Sequence, residues 1–382
     1  SNRKNMNFKS TYKAIALAAV LLSSPLLAIA QKGISVGSYV FKDGAVYTGD
    51  LYNGKPNGIG TTKFPNGDIY EGNYLKGKRH GKGIYTSANG ERYDGQWTQD
   101  MRNGHGTFYG LNNNTYEGLW FKGLKHGKGT MHYYNGDCYE GEWKEDKRNG
   151  KGTYTYKSGA YYKGEWVDDL KEGKGSFKWS DGSIYDGSWV AGKRNGLGTY
   201  VYADGDHYYG QWQNDKQHGR GIYKFSNGDR YEGSYVEGKR TGEGISTFAN
   251  GDTYKGHHLD GEPDGQGTYI WKDEASYEGQ WQQGKRHGNG IYKWKKGGIY
   301  NGQWKDDKMD GQAIWVQPNG ERFKGTFKNG VKHGKAVEIQ SDGTKIECEY
   351  VNGVREGNYR EYDKNGNLRR KGKYVNGRFK QD

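Results

Sequence analysis

Three things are scarce in this sequence. Apolar residues make up 32% of its 382 positions, a share that alone would suggest disorder. Cysteine occurs twice, at Cys138 and Cys348. Helical periodicity is missing after residue 30, so the sequence offers no helical layer to cover a sheet. A distinct catalytic constellation is missing too. Catalysis needs preorganised groups that stand apart from their background. Here most polar residues recur at fixed intervals, and no Ser-His-Asp set or carboxylate pair is unique. The expectation is therefore a protein that is not an enzyme and carries no cofactor.

Only one long apolar run occurs, Ala14 to Ala30, and it is broken by Ser23, Ser24 and Pro25. Arg3, Lys4, Lys9 and Lys13 precede it, and Ala28-Ile29-Ala30 closes it with a small-x-small cleavage pattern. Residues 1–30 read as a secretory signal peptide, with Met6 as the start and residues 1–5 upstream of it. An uncleaved anchor is the rival reading, and the run is short for a span of about 20 residues. No cysteine follows it directly, which argues against a lipoprotein anchor. The expected location is the periplasm, the cell envelope or the outside. Net charge stays basic without the leader, since 1–30 hold four basic residues of a formal +13.

What is abundant is glycine, with 66 residues, and aromatics, with 34 Tyr and 12 Trp. They fall on a fixed period. Tyr47, Tyr70, Tyr93, Tyr116 and their successors to Tyr300 recur every 23 residues without insertion or deletion, and Phe323 continues the row. Such a period marks a repeat architecture. Numbered from its Tyr, the unit has Gly at 3, mostly Trp at 5, Gly or Asp at 8, Gly at 12 and 14, mostly an aromatic at 16 and mostly Gly at 21. Positions 1, 3, 5 and again 12, 14, 16, 18 alternate with other residues, the period of a strand. Gly or Asp at 8 supplies a tight turn, and pairs such as Asn66-Gly67 lead into the next unit. Each unit is expected to be a β-hairpin. Symmetric pairing about the turn would set 5 opposite 12, with Trp143 lying over Gly150 as an aromatic covering a glycine.

The unit, as in Tyr70-x-Gly72 followed by Gly77 and then Gly81-x-Gly83, resembles that of the MORN (membrane occupation and recognition nexus) repeat family, in an exported bacterial form. The resemblance implies an all-β, single-layer antiparallel array of tandem hairpins, elongated and curved. It gives a half-repeat cap over 31–46, thirteen repeats over 47–345, and variant repeats with a C-terminal cap over 346–382. It further implies a non-enzymatic scaffold for protein association, the chain itself included among the partners, and contact with an anionic phospholipid surface. Nucleic acid is not an expected partner of an exported protein. A glycan binder and a regulatory subunit of an envelope enzyme are the alternatives.

Two surfaces are candidates. Trp97, Trp120, Trp143, Trp166, Trp189, Trp212, Trp281 and Trp304 at position 5 would line an aromatic groove; the bland reading is that they are core. Lys78, Arg79, Arg102, Lys125, Lys147, Arg148, Lys193, Arg194, Lys216, Lys239, Arg240, Lys285 and Arg286, just after the turn, would form a basic rim; the bland reading is a solvated edge. His257-His258 with Asp260, Glu262 and Asp264 is the densest ligand-type cluster, read as a metal or partner site or as a tolerated loop variant. The run Gly77 to Gly83 has the wrong spacing for a phosphate loop, and no helix follows it. At about 10 Å per hairpin, Cys138 and Cys348 lie too far apart for a disulfide.

Overall fold

The computed structural model describes residues 32–382; the expected signal peptide, 1–30, lies outside the described residues. The described chain is one antiparallel sheet of 32 strands. Except around the two-residue strand Val354–Arg355, each strand pairs with its neighbours in sequence, as Cys138–Lys144 does with the strands before and after it. The hairpin turns have two residues, and Lys76 (φ 51°) and Gly77 (φ 82°) show why position 8 is Gly or Asp. Positive φ at both central residues matches the twist of the flanking strands. The half-unit Ile34–Val40 opens the sheet, with Tyr39 opposite Tyr47. Arg378–Gln381 closes it.

The register corrects the expected symmetric pairing. Within a hairpin, Tyr139 faces Tyr154 and Gly141 faces Gly152, but Trp143 faces Arg148. A bulge accounts for the shift: Glu142 alone stands against Asn149, Gly150 and Lys151. Gly150 instead lies opposite Trp166 of the next unit. Its glycine is required by its backbone, at φ +91°, and not by an indole above it. The bulge also frees a backbone N–H, and position 4 answers it. Lys151 donates its N–H to Glu142 Oε2 at 2.8 Å, and His105 to Gln96 Oε1 at 2.8 Å.

The aromatic that does cover a glycine is the first tyrosine. A methyl group on Gly152 would overlap the Tyr139 ring, which lies across the paired backbones of Gly141 and Gly152. Tyr139 Oη then donates to the Glu142 carbonyl at 3.0 Å. All twelve position-1 tyrosines are at most 2% exposed. From Tyr70 onward each sits edge-on between two rings of the position-5 row: Tyr139 is 5.1 Å from Trp143 at 87° and 5.4 Å from Trp166 at 83°. This geometry suits the ring quadrupoles. A single row of alternating Tyr and Trp is thus the core of a single-layer sheet.

Cys138 and Cys348 are both free. Cys348 is 4% exposed, and burial pushes its thiol up to about 11. Burial also raises the half-buried Cys138. Alkylation of the native protein at pH 8, followed by peptide mass spectrometry, is expected to modify Cys138 well before Cys348. In denaturant both should react alike. Equal native rates would contradict the burial of Cys348.

Candidate functional site

The eight position-5 tryptophans do not line an open groove. They are only 3–6% exposed. Each Nε1–H donates to a glycine carbonyl of the preceding unit, as Trp166 does to Gly152 at 3.1 Å. A cation at position 10 seals seven of them; the unit before Trp281 has Pro263 at that place. Arg79, Arg102, Lys125, Arg148, Lys171, Arg194 and Arg286 each place their cationic group 4.2–4.9 Å from the centroid of the next unit's indole. Desolvation pulls the Lys125 ammonium below the usual lysine range.

The basic rim therefore divides in two. Arg79, Arg148, Arg194 and Arg286 have side chains only 19–20% exposed, and each bonds an aspartate one turn along: Asp100, Asp169, Asp215 and Asp307. Arg102 donates to the Gly123 carbonyl at 2.8 Å, and Arg240 packs over Phe225 and Tyr231. These residues, with Lys125, are a lid on the core and not a solvated turn. Lys78, Lys147, Lys193, Lys216, Lys239 and Lys285, at position 9, are the exposed ones. Two of them are paired as well, Lys216 with Glu237 and Lys239 with Asp260.

The opposite edge has an order that the sequence reading missed. Asp137 accepts the Tyr154 hydroxyl at 2.7 Å and the Lys157 N–H at 2.8 Å, so it ties its own turn to the next. Asp206 does the same with Tyr223 and Ser226. These hydrogen bonds, the tyrosine's foremost, hold both carboxyls below the usual aspartate range. The signal was present: an aspartate after the turn glycine with a tyrosine 17 residues on.

Between the core row and this edge runs an accessible aromatic stripe, from positions 16 and 18. Tyr133, Tyr154, Tyr156, Phe177, Trp179, Tyr200, Tyr202, Tyr223 and Phe225 follow one another with centroids 4.3–5.8 Å apart. A second run goes from Phe248 through Tyr269, Trp271, Tyr292 and Trp294 to Trp315. Apart from the buried Phe177, these rings are half-buried, with one side against the core row. The accessible tryptophans are thus Trp179, Trp271, Trp294 and Trp315, none of them at position 5.

The stripe breaks at Ser246, and the core row changes there too. His258 takes the tryptophan place, 1% exposed, between the rings of Tyr231 and Tyr254 at 5.0 and 4.9 Å. Its Nδ1–H donates to the Gly256 carbonyl, which leaves Nε2 to accept the Ser246 hydroxyl at 3.1 Å. His257 points to the other face and bonds the Asp264 carbonyl. The expected cluster is therefore split across the sheet. Among the described residues, no three His, Cys, Asp or Glu side chains converge as a metal site.

Burial drops the His258 pKa from 6.5 to about 4. Between those values the unfolded chain binds a proton that the folded chain does not. Stability contributed by a neutral His258 is thus complete above pH 6.5 and falls as pH falls toward 4, by up to about 3 kcal/mol. Denaturant titrations across this window should show the loss, and His258→Trp should flatten it. An identical slope in the variant would contradict the assignment.

These features define a class: a tandem array of bulged β-hairpins in one open sheet, with an intercalated Tyr–Trp core. The MORN repeat model matches thirteen abutting segments, from 47–69 to 323–345. The chain belongs to the MORN repeat family. No curated protein matches its sequence. Among solved structures it is similar to the TCP10 domain of Danio rerio CPAP in complex with a peptide of STIL, at 17% identity and TM-score 0.29, over 54% of this chain and 97% of that one. The TCP domain of Drosophila melanogaster SAS-4, in complex with a proline-rich motif of Ana2, matches at 14% and TM-score 0.26, over 41% and 85%. Virginiamycin B lyase from Staphylococcus aureus matches at 11% and TM-score 0.12, over 84% and 95%. Likeness at this level carries no function across.

Proposed function

We propose that this chain is a non-enzymatic scaffold of the cell envelope or cell exterior that holds protein partners along the aromatic stripe. The two half-exposed runs of rings, Tyr133 to Phe225 and Phe248 to Trp315, carry the reading. Tyr and Trp joined side by side offer large apolar area at low entropic cost, the character of protein-binding surfaces. The rings lean on one another at 29–58°, a relief that suits side chains better than the flat, separated platforms on which sugars stack. This favours a protein over a glycan. The leader at Ala14 to Ala30 supports the location. Phospholipid contact falls to the exposed lysines Lys78, Lys147, Lys193 and Lys285, because the arginines behind them are already engaged.

The test compares the wild type with Trp179→Gln/Trp271→Gln/Trp294→Gln in co-purification from the native envelope fraction. The expected result is loss of specific partners at unchanged thermal stability. Flotation with anionic vesicles that depends on the four lysines, alongside partners unaffected by the triple change, would favour the membrane reading and sink the stripe. Retention by polysaccharide in affinity electrophoresis, lost in the triple variant, would favour the glycan reading.

A further inference from the structure

Beside the break in the stripe lies a cleft of about 330 Å³, lined by Gln217, Tyr223, Phe225, Tyr235 and Arg240, with the Lys239–Asp260 pair at its lip. Two repeat rules fail together at this cleft. Tyr235 replaces the position-5 tryptophan, and Gln217 replaces the cation that would have stacked on it.

Two polar groups on its lining residues have no hydrogen-bond partner among the described residues. The first is the Tyr235 hydroxyl, 2% exposed and with no hydrogen bond. The other two tyrosines at position 5 show what is absent. Tyr74 bonds Thr62, and Tyr350 bonds Glu338, each twelve residues upstream. For Tyr235 that place is Tyr223, whose hydroxyl is committed to Asp206. The second is the Arg240 guanidinium. Four other arginines at position 10 bond an aspartate 21 residues downstream. For Arg240 that place is Gly261, and the Asp260 carboxylate beside it is taken by Lys239. Tyr235 and Arg240 are direct cross-strand neighbours. Burial keeps the phenol protonated, so it is a donor. Gln217 is held by its Nε2 bond to Tyr202 at 3.1 Å, so its carbonyl oxygen remains an acceptor.

We propose that this cleft binds a carboxylate carried on a small apolar or aromatic body. One carboxylate oxygen accepts from the Tyr235 hydroxyl and the other from Arg240, while Tyr223 and Phe225 wall the body. A single guanidinium with Asp260 close by suits one negative charge better than a doubly charged phosphate. The carboxylate could be a free acid or the C-terminus of a partner chain; only the second source rests on the scaffold reading.

Calorimetric titration of the full chain tests this, with benzoate, its neutral isostere benzamide, a tripeptide ending in Phe, and the same peptide amidated. The expected result is saturable binding of benzoate and of none of the neutral probes. A free peptide acid that binds more tightly than benzoate assigns the site to a partner's terminus; benzoate alone assigns it to a free acid. Tyr235→Phe should weaken binding about tenfold or more while apo stability holds or rises, since it removes a buried hydroxyl without a mate. Tyr235→Trp should fill the cleft, abolish binding and stabilise the fold. Absence of saturable binding of either acid, equal binding of benzamide, or undiminished affinity in Tyr235→Phe would overturn the proposal.

Discussion

Gly152→Val is expected to unfold the hairpin Cys138–Thr155 and loosen the units on either side. The new side chain would enter the space of the Tyr139 ring, and that ring cannot withdraw, because Gly141 lies beneath it and Trp143 and Trp166 hold its edges. Overpacking costs about 1–3 kcal/mol where neighbours can shift; with a ring pinned on three sides the upper end or beyond is expected. Nature shows how far the site gives. Ala313 and Ala336 stand at this position in two units, and beside Ala313 the Tyr–Trp angle is 73°, against 87° one unit earlier. Gly152→Ala should therefore fold with a modest drop in melting temperature. Gly150→Val should act differently, through its φ of +91° and the displaced Glu142 side chain. Hydrogen exchange would resolve the damage, since contacts in an array are nearest-neighbour. Uniform loss of protection along the chain, or none, would count against this packing.

Reversal of Arg79, Arg148, Arg194 and Arg286 to Glu is expected to destabilise the whole array. Each substitution removes a cation stacked on an indole, worth about 0.5–2 kcal/mol, and leaves an aspartate facing a new carboxylate. The sites are two or more units apart, so the losses should add to several kcal/mol. The contrasting variant carries Lys78, Lys147, Lys193 and Lys285 to Glu. These side chains reach solvent from the same turns, and surface changes of this kind stay within about 0.5 kcal/mol apiece. Thermal melts of the two variants separate lid from rim. Should the arginine variant melt like the wild type, the lid is an artefact of proximity. Vesicle binding is to be read from the lysine variant alone, because only there is the fold intact.

The architecture was legible because the period is rigid. Strand alternation, two-residue turns and glycine at fixed places all follow from one unit read thirteen times. The partner of each tryptophan was not legible. Symmetric pairing about the turn places Trp143 over Gly150; the bulge at Glu142 moves it to Arg148 and gives Gly150 to Trp166. A glycine inside a strand opposite a polar position 4 was the available sign of that bulge. The basic rim was misjudged for a related reason. The turn spans only positions 7 and 8, so position 10 already belongs to the strand and faces the core side. Tryptophan count drew attention to position 5, yet the largest side chains on a single layer are the ones it must bury. The accessible stripe comes from positions 16 and 18, where residue type varies and the pattern is weaker. At Gln217 and Tyr235 the sequence departs from the repeat, but only three dimensions show that these two departures meet at one cleft.

Oxidative footprinting of tryptophan by brief exposure to hydroxyl radicals, read by peptide mass spectrometry, tests the central claim most directly. Fast modification of Trp179, Trp271, Trp294 and Trp315 is expected, with strong protection of Trp97, Trp120, Trp143, Trp166, Trp189, Trp212, Trp281 and Trp304. Equal rates for the two sets, or faster oxidation of the eight, would contradict a core sealed by the arginine and lysine row.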